Sequence, residues 1–387
     1  MSTNPAAVAA SHPSGRFIAL DSLRGLVALA IVFFHMGDFG WIAGLTPLRS
    51  GWMLVEFFFV LSGFVIAASY GERLAHGYPR WRFLLIRLAR VYPLHLVTVA
   101  LFVVLEVAVF RPVLHEAHPW SVLPRAVFLL DAFRTHTGDF YAPVSWAVGV
   151  ELVLYIFAAV LFGRGRWALG IAVALAAASA WALYSGFNVV GFGRLLQRGL
   201  LAFPLGVACY WVHLRLRQVE PGPLVLSLAE GALLVALVWI LALPGKSNAW
   251  LLGFDALFVA IVLVFARDGG IVSRVLQWRP LATLGQLSFA LYMVHLFFII
   301  VPNRFLPRIF AASGHPDWVR AGRHTFGYES VDPPAWFATL ITLGFAALAL
   351  GTAWLAWRYI EEPVRHWSRR FAPPPAGRSA VAQVPAI

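Results

Sequence analysis

The stretch "LDSLRGLVALAIVFFHMGDFG", residues 20 to 40, decides the fold. From Gly25 to Phe34 it carries no charge, which suits hydrocarbon, yet Arg24 and His35 flank that run eleven residues apart. At 100° per residue, eleven steps make roughly 1100°, within about 20° of whole turns, so both side chains share one helix face roughly 16 Å apart along the axis. Ionisable groups at membrane depth cost several kcal/mol unless they are paired or wet, so a lipid helix that keeps both is a functional candidate.

The rest of the chain is built the same way. Its 387 residues are 60% hydrophobic and 12% charged, with a mean hydropathy of +0.76, which places it outside soluble globular proteins and among integral membrane proteins. Apolar runs of about 17 to 23 residues predict ten spans, near 23–39, 52–70, 91–110, 144–162, 167–184, 195–213, 224–243, 249–266, 281–301 and 335–357. The run 122–133 is too short to span and contains Asp131, so it reads as a helix lying in the interface or re-entering. Residues 1–16 lack the basic head and apolar core of a secretory signal and read as a tail. A single membrane domain is expected over 17–370, with a Pro/Ala-rich, disordered tail over 371–387. The fold expected is all-α, a polytopic bundle of about ten transmembrane helices. No internal repeat relates the two halves, which counts against inverted-repeat transporters.

Charge placement orients this bundle. The formal net charge is +12, but all basic residues except Lys246 are arginines, scattered in short clusters between apolar runs. That pattern suits loops at an anionic membrane face and gives no nucleic-acid stripe. With the N-terminus cytoplasmic, eighteen arginines fall in inner segments and nine basic residues in the longer outer ones. Both termini are therefore expected in the cytoplasm, in a multi-pass protein of the inner (plasma) membrane. The lone Cys209 excludes an intrachain disulfide and a cysteine-based metal site, and no metal is expected.

Counting inward from the outer span ends places His35, Glu56, Glu151, Asp255 and His295 in one layer roughly 6–10 Å below the boundary. Two imidazoles and three carboxylates at one level can handle protons, or can simply satisfy one another. Ser145 and Trp146 lie just before Glu151, and Asp38 follows His35 within one turn. At the inner side, "PRWRFLLIRLARVYP" (79–93) sets Trp81, Leu85 and Leu88 on one helical face and Arg80, Arg87 and Arg90 on another. Two readings stand: an interfacial helix on anionic lipid, or a phosphate clamp, since arginine forks match phosphate oxygens.

Taken together, these residues resemble the acyltransferase-3 family of polytopic membrane enzymes that O-acylate sugars and related acceptors. "LDSLRGLVALAIVFFH" is similar to the family's opening Arg/His helix, "FFFVLSGFVI" (57–66) to its second-helix signature and "IRLARVYPLH" (86–95) to its arginine pair. "VSWAVGVELVLY" (144–155), "LSFALYMVH" (287–295) and "YIEEPVRHW" (359–367) resemble three later motifs. Where the family often has two consecutive acids, this chain has Glu151 then Leu152. The resemblance implies transfer of an acyl group, usually acetyl, from cytoplasmic acyl-CoA as co-substrate to a hydroxyl of an extracytoplasmic or lipid-linked carbohydrate. No outer loop is long enough for the fused esterase-like domain of some members, so the membrane module alone is expected.

Ester formation needs a base for the acceptor hydroxyl, a group that orients the base, and donors for the oxyanion. His35 is the expected base, with Glu151 as its orienter or proton partner. Trp146, Ser145, Tyr292, His295, Glu56, Asp38 and Asp255 would shape the pocket. Arg24, Arg87 and Arg90 would hold the CoA phosphates. Direct transfer and a prior covalent step on His35 both remain open. So do two rivals: a proton-coupled permease using the buried His/Glu layer, and a membrane scaffold. The outer loops 111–143 and 302–334, where "HEAHPWS" and "GHPDWVRAGRHTFGYES" supply aromatic and polar groups, read equally as acceptor contacts or as ordinary interface loops.

Overall fold

The structure is a computed structural model that describes residues 17–37, 39–112, 119–134, 144–187, 193–323 and 329–371. The helices are α1 (Ile18–His35), α2 (Gly40–Ala43), α3 (Val55–Ile66), α4 (Glu72–Ala75), α5 (Arg80–Leu105), α6 (Leu123–Val127), α7 (Ser145–Leu161) and α8 (Ala168–Ser185). They continue as α9 (Arg194–Arg215), α10 (Pro223–Ala242), α11 (Leu251–Phe265), α12 (Ile271–Leu276), α13 (Arg279–Val294), α14 (Phe297–Ala312), α15 (Ala335–Ala356) and α16 (Glu362–Ser368). Among the described residues, nine helical segments are long and apolar enough to cross a bilayer. A tenth forms if α13 and α14, bent by 51°, count as one span. Every predicted span overlaps one of these. The all-α expectation meets one small exception, an antiparallel ladder of β1 (Val319–Arg323) with β2 (Glu329–Val331).

Two helix seams organise the interior, and glycines set both. A methyl group on Gly25 of α1 would lie 2.5 Å from the Gly285 nitrogen, and one on Gly285 of α13 would lie 2.3 Å from the Asp21 carbonyl oxygen. Likewise, a Cβ on Gly63 of α3 would sit 2.1 Å from Phe203 O, and one on Gly206 of α9 would sit 2.0 Å from Val60 O. Lipid tails are as apolar as leucine, so helices in a membrane associate through close packing, and small residues let backbones touch. Because 25 meets 285 and 35 meets 295, α1 and α13 run parallel.

Three expectations change. The segment 79–93 is not a separate interfacial helix: α5 runs unbroken through Pro93, so Arg87 is carried into the bundle and is only 8% exposed. The predicted interfacial helix at 122–133 is broken at Leu129, whose φ of 59° is left-handed. The predicted span 281–301 stops at Val294 and turns at His295 and Leu296 before α14.

A clasp that the sequence did not advertise fixes α12. Glu230 of α10 is fully buried and accepts hydrogen bonds from the backbone N–H groups of Gly270 (3.1 Å), Val272 (3.0 Å) and Ser273 (3.1 Å), and from the Ser273 hydroxyl. The carboxylate thus satisfies the orphan donors that open a helix. Glu230→Ala strands the N–H groups of Gly270 and Ser273, both buried, and that of Val272, partly buried, at up to about 1–3 kcal/mol apiece, less than additively. A thermal melt in detergent is expected to show a lowered midpoint, with Glu230→Gln in between.

Candidate active site

A cavity of about 840 Å³, its open mouth included, lies between α1, α3, α5, α7 and α13. Arg24, Arg87, Arg90, Glu151 and Tyr292 of the expected site line it, joined by Ser62, Tyr155 and Ser288. Arg87 stands over the rings of Tyr70 (4.9 Å), Tyr155 (5.6 Å) and Phe83 (5.8 Å). Its Nε is buried and has no hydrogen-bond partner among the described residues. Aromatic faces hold the guanidinium by cation–π attraction without neutralising it, which leaves the charge available to an anion. Arg24 is committed differently: its Nε donates to Ser288 Oγ (2.8 Å), and an Nη donates to the Gly285 carbonyl (2.9 Å) and lies 3.4 Å from Asp21. It fastens α1 to α13 while facing the cavity.

Glu151 does not contact His35. Its Oε1 accepts from Ser62 Oγ (2.8 Å) and from the Tyr155 hydroxyl one turn along α7. His35 is paired with His295 instead, Nδ1 to Nε2 at 3.1 Å. Hydrogen-bond roles follow from the acceptors. His295 Nδ1 lies 2.7 Å from the Tyr292 carbonyl, so it carries the proton and its Nε2 accepts. His35 Nδ1, between that Nε2 and the Ile31 carbonyl at 2.9 Å, must then be the donor. In the neutral ring the lone pair therefore sits on His35 Nε2.

A third group forms around Arg198, near the start of α9. Its Nε donates to Glu56 Oε1 (2.5 Å), an Nη donates to the Trp52 carbonyl (3.0 Å), and the guanidinium lies over Trp52 and Trp146 at 5.3 and 5.2 Å. Asp255 is buried nearby, and neither of its oxygens has a hydrogen-bond partner among the described residues. The expected single layer thus resolves into three clusters: His35 with His295, Glu56 with Arg198 and Asp255, and Glu151 with Ser62 and Tyr155. Ser62 lies six residues, roughly 9 Å, along α3 from Glu56, so the Glu151 cluster is displaced along the bundle.

Trp146 and Ser145 do not line the cavity. Trp146 backs the Arg198 cluster and touches Phe59, and Ser145 is fully buried. Asp38 lies outside the described residues. Tyr155 was within reach of sequence reasoning, being four residues after Glu151 on one helix face. Arg198, Ser62 and Ser288 carried no such local signal.

Removing one partner of a buried ion pair leaves an uncompensated charge, at about 3–5 kcal/mol, whereas apolar replacement of both is often tolerated. Glu56→Ala is accordingly expected to destabilise strongly in a thermal melt, and Glu56→Met with Arg198→Met to recover most of the loss.

Residues 17–358 match the acyltransferase domain that defines the acyltransferase-3 family, a stretch that contains both the arginine-lined cavity and the histidine pair. BcsY of Komagataeibacter xylinus, described by name as a membrane-bound transacylase, is 25% identical over 313 residues, 76% of each chain. Protein 2 in the picA locus of Rhizobium radiobacter is 36% identical over 150 residues, 37% of this chain and 73% of its own length. Acyltransferase MdmB of Streptomyces mycarofaciens is 30% identical over 153 residues, 36% of this chain and 38% of its own. No solved structure matches the chain. The chain belongs to the acyltransferase-3 family and is a multi-pass membrane enzyme that transfers acyl groups.

Proposed function

We propose that this enzyme moves an acyl group, acetyl in the first instance, from acyl-CoA at the arginine-rich end of the bundle to a carbohydrate hydroxyl at the other. The arginine-rich end would face the cytoplasm, across the inner membrane, as the positive-inside bias favours. One observation carries the reading. Arg87 and Arg90 of α5 line one cavity with the fastened Arg24 of α1, and the His35–His295 pair lies eleven residues farther along the α1–α13 seam. The separation of roughly 16 Å suits a donor whose charged end stays at the arginines while its thioester reaches inward.

In this mechanism the acceptor oxygen bonds the acyl carbon as the C–S bond breaks. The hydroxyl proton passes to His35 Nε2, and the departing CoA thiolate takes up a proton. His295 acts by fixing the His35 tautomer, which replaces the orienting role first expected of Glu151. Glu151 belongs to the donor cavity, where its bonds to Ser62 and Tyr155 hold those hydroxyls in place. Imidazole general-base catalysis contributes about 10²–10⁴-fold.

His35→Ala is expected to lose at least that factor, read as CoA release from acetyl-CoA plus glycan and as loss of the acyl mass increment on surface glycans. His295→Ala is expected to lower kcat by about ten- to a hundred-fold without raising KM for acetyl-CoA, and Arg87→Ala to do the reverse. Equal CoA release by His35→Ala and wild type would overturn the assignment. In a single turnover with radiolabelled acetyl-CoA and no acceptor, a base mechanism leaves no label on the protein, while retained label marks a covalent step on His35.

A further inference from the structure

A second chamber, about 1230 Å³ with its open mouth included, adjoins the first at the arginine-rich end. Arg24, Leu61, Val65 and Arg90 line both, so the two are continuous. Its other wall comes from the end of the chain: Trp357, Glu361, Arg365 and Arg369 line it. That wall is docked in place, because the Tyr78 hydroxyl donates to the Phe371 carbonyl (2.6 Å) and the Phe371 ring packs edge-on against Trp81 and Trp367.

The lining is chemically mixed in a particular way. Arg90 makes no salt bridge within the described residues, and Arg365 pairs with Glu362 on the half-exposed rim. Four guanidiniums from three parts of the chain therefore face one space. Against them stand the carboxylates of Asp21, Glu361 and Glu362, of which the Oε1 of Glu361 is buried and has no hydrogen-bond partner among the described residues. A bare phosphate would satisfy the arginines and be repelled by Glu361. A ligand that carries phosphate, an amino group and a flat ring satisfies all three kinds of lining group at once.

We infer that this vestibule is a nucleotide subsite for the 3′-phosphoadenosine end of the donor, with Arg365 and Arg369 on the 3′-phosphate. Trp357 supplies a face for the adenine ring, and Glu361 accepts from the exocyclic amine. This rests on acyl-CoA being the donor. It adds that the donor's far end is held by the closing segment of the chain, 357–369, and that Arg87 and Arg90 are left to the diphosphate nearer the thioester. The same guanidiniums could meet phosphate from a lipid headgroup, which is the other source of this chemistry.

The test uses the full chain in nanodiscs of zwitterionic lipid, with CoA and dephospho-CoA as probes in equilibrium dialysis. Wild type is expected to bind CoA more tightly than dephospho-CoA. Arg365→Ala with Arg369→Ala should weaken CoA about ten- to a hundred-fold, to the level of dephospho-CoA, and leave dephospho-CoA unchanged. Arg87→Ala with Arg90→Ala should weaken both. Arg365→Lys with Arg369→Lys should recover part of the preference, which shows that the alanine variant failed through charge and not through folding. If wild type binds both probes equally, or the double alanine variant keeps the preference, the subsite is overturned while the acyl-CoA reading stands. If wild type binds neither, the acyl-CoA reading fails and the subsite with it. A preference that survives in the variant while its binding to phosphatidylglycerol vesicles is lost assigns these arginines to lipid and overturns the proposal.

Discussion

A guanidinium and an imidazole cannot rest in hydrocarbon on a single helix, so α1 is stable only where another helix brings partners to within hydrogen-bond distance. That requirement is met by α13, and it can be met because Gly25 and Gly285 let the two backbones touch. From this contact follow the anchoring of Arg24 on Ser288 and Gly285 below it, and the meeting of His35 with His295 above it. The catalytic proposal is thus tied to a backbone distance: a methyl group at either glycine would separate both pairs together.

The buried charges are divided by task. Glu56 and Arg198 pair directly, and the indoles of Trp52 and Trp146 cover the guanidinium, an arrangement that favours a fixed α3–α9 geometry over reactivity. Around Arg87 the opposite holds: aromatic rings surround a cation with no counter-charge bonded to it. The difference separates a cluster that stabilises the scaffold from one ready for an anionic ligand.

Much of this was legible in the sequence, for identifiable reasons. Long apolar runs report spans directly, because length and hydropathy are what the bilayer constrains. Helical phase correctly put Arg24 and His35 on one face, since both meet α13. Depth counting did less well. It grouped five residues by distance from their span ends, but contact depends on which helices adjoin, and Glu151 lies beside Ser62 and Tyr155 while Asp255 lies beside Glu56. Arg198 and its partner Glu56 each lie near the start of a span, where nothing local in the sequence pairs them. The break after Val294 had no glycine or proline to announce it. It nevertheless shapes the site, because the helix end at that point leaves the Leu291 and Tyr292 carbonyls able to accept from His295 Nδ1.

The partnership of α1 with α13 also constrains how the protein is made. Arg24 and His35 emerge first, while Ser288 and His295 follow 264 and 260 residues later. At about 5–20 residues per second, that is an interval of roughly 13–53 s. Throughout it, the first helix sits in the membrane without the groups that stabilise its polar residues. Quality-control proteases that recognise exposed intramembrane charge would have access to every chain during this window, and to truncated chains indefinitely. Loss of the ninth span should therefore remove the protein altogether and not merely silence it.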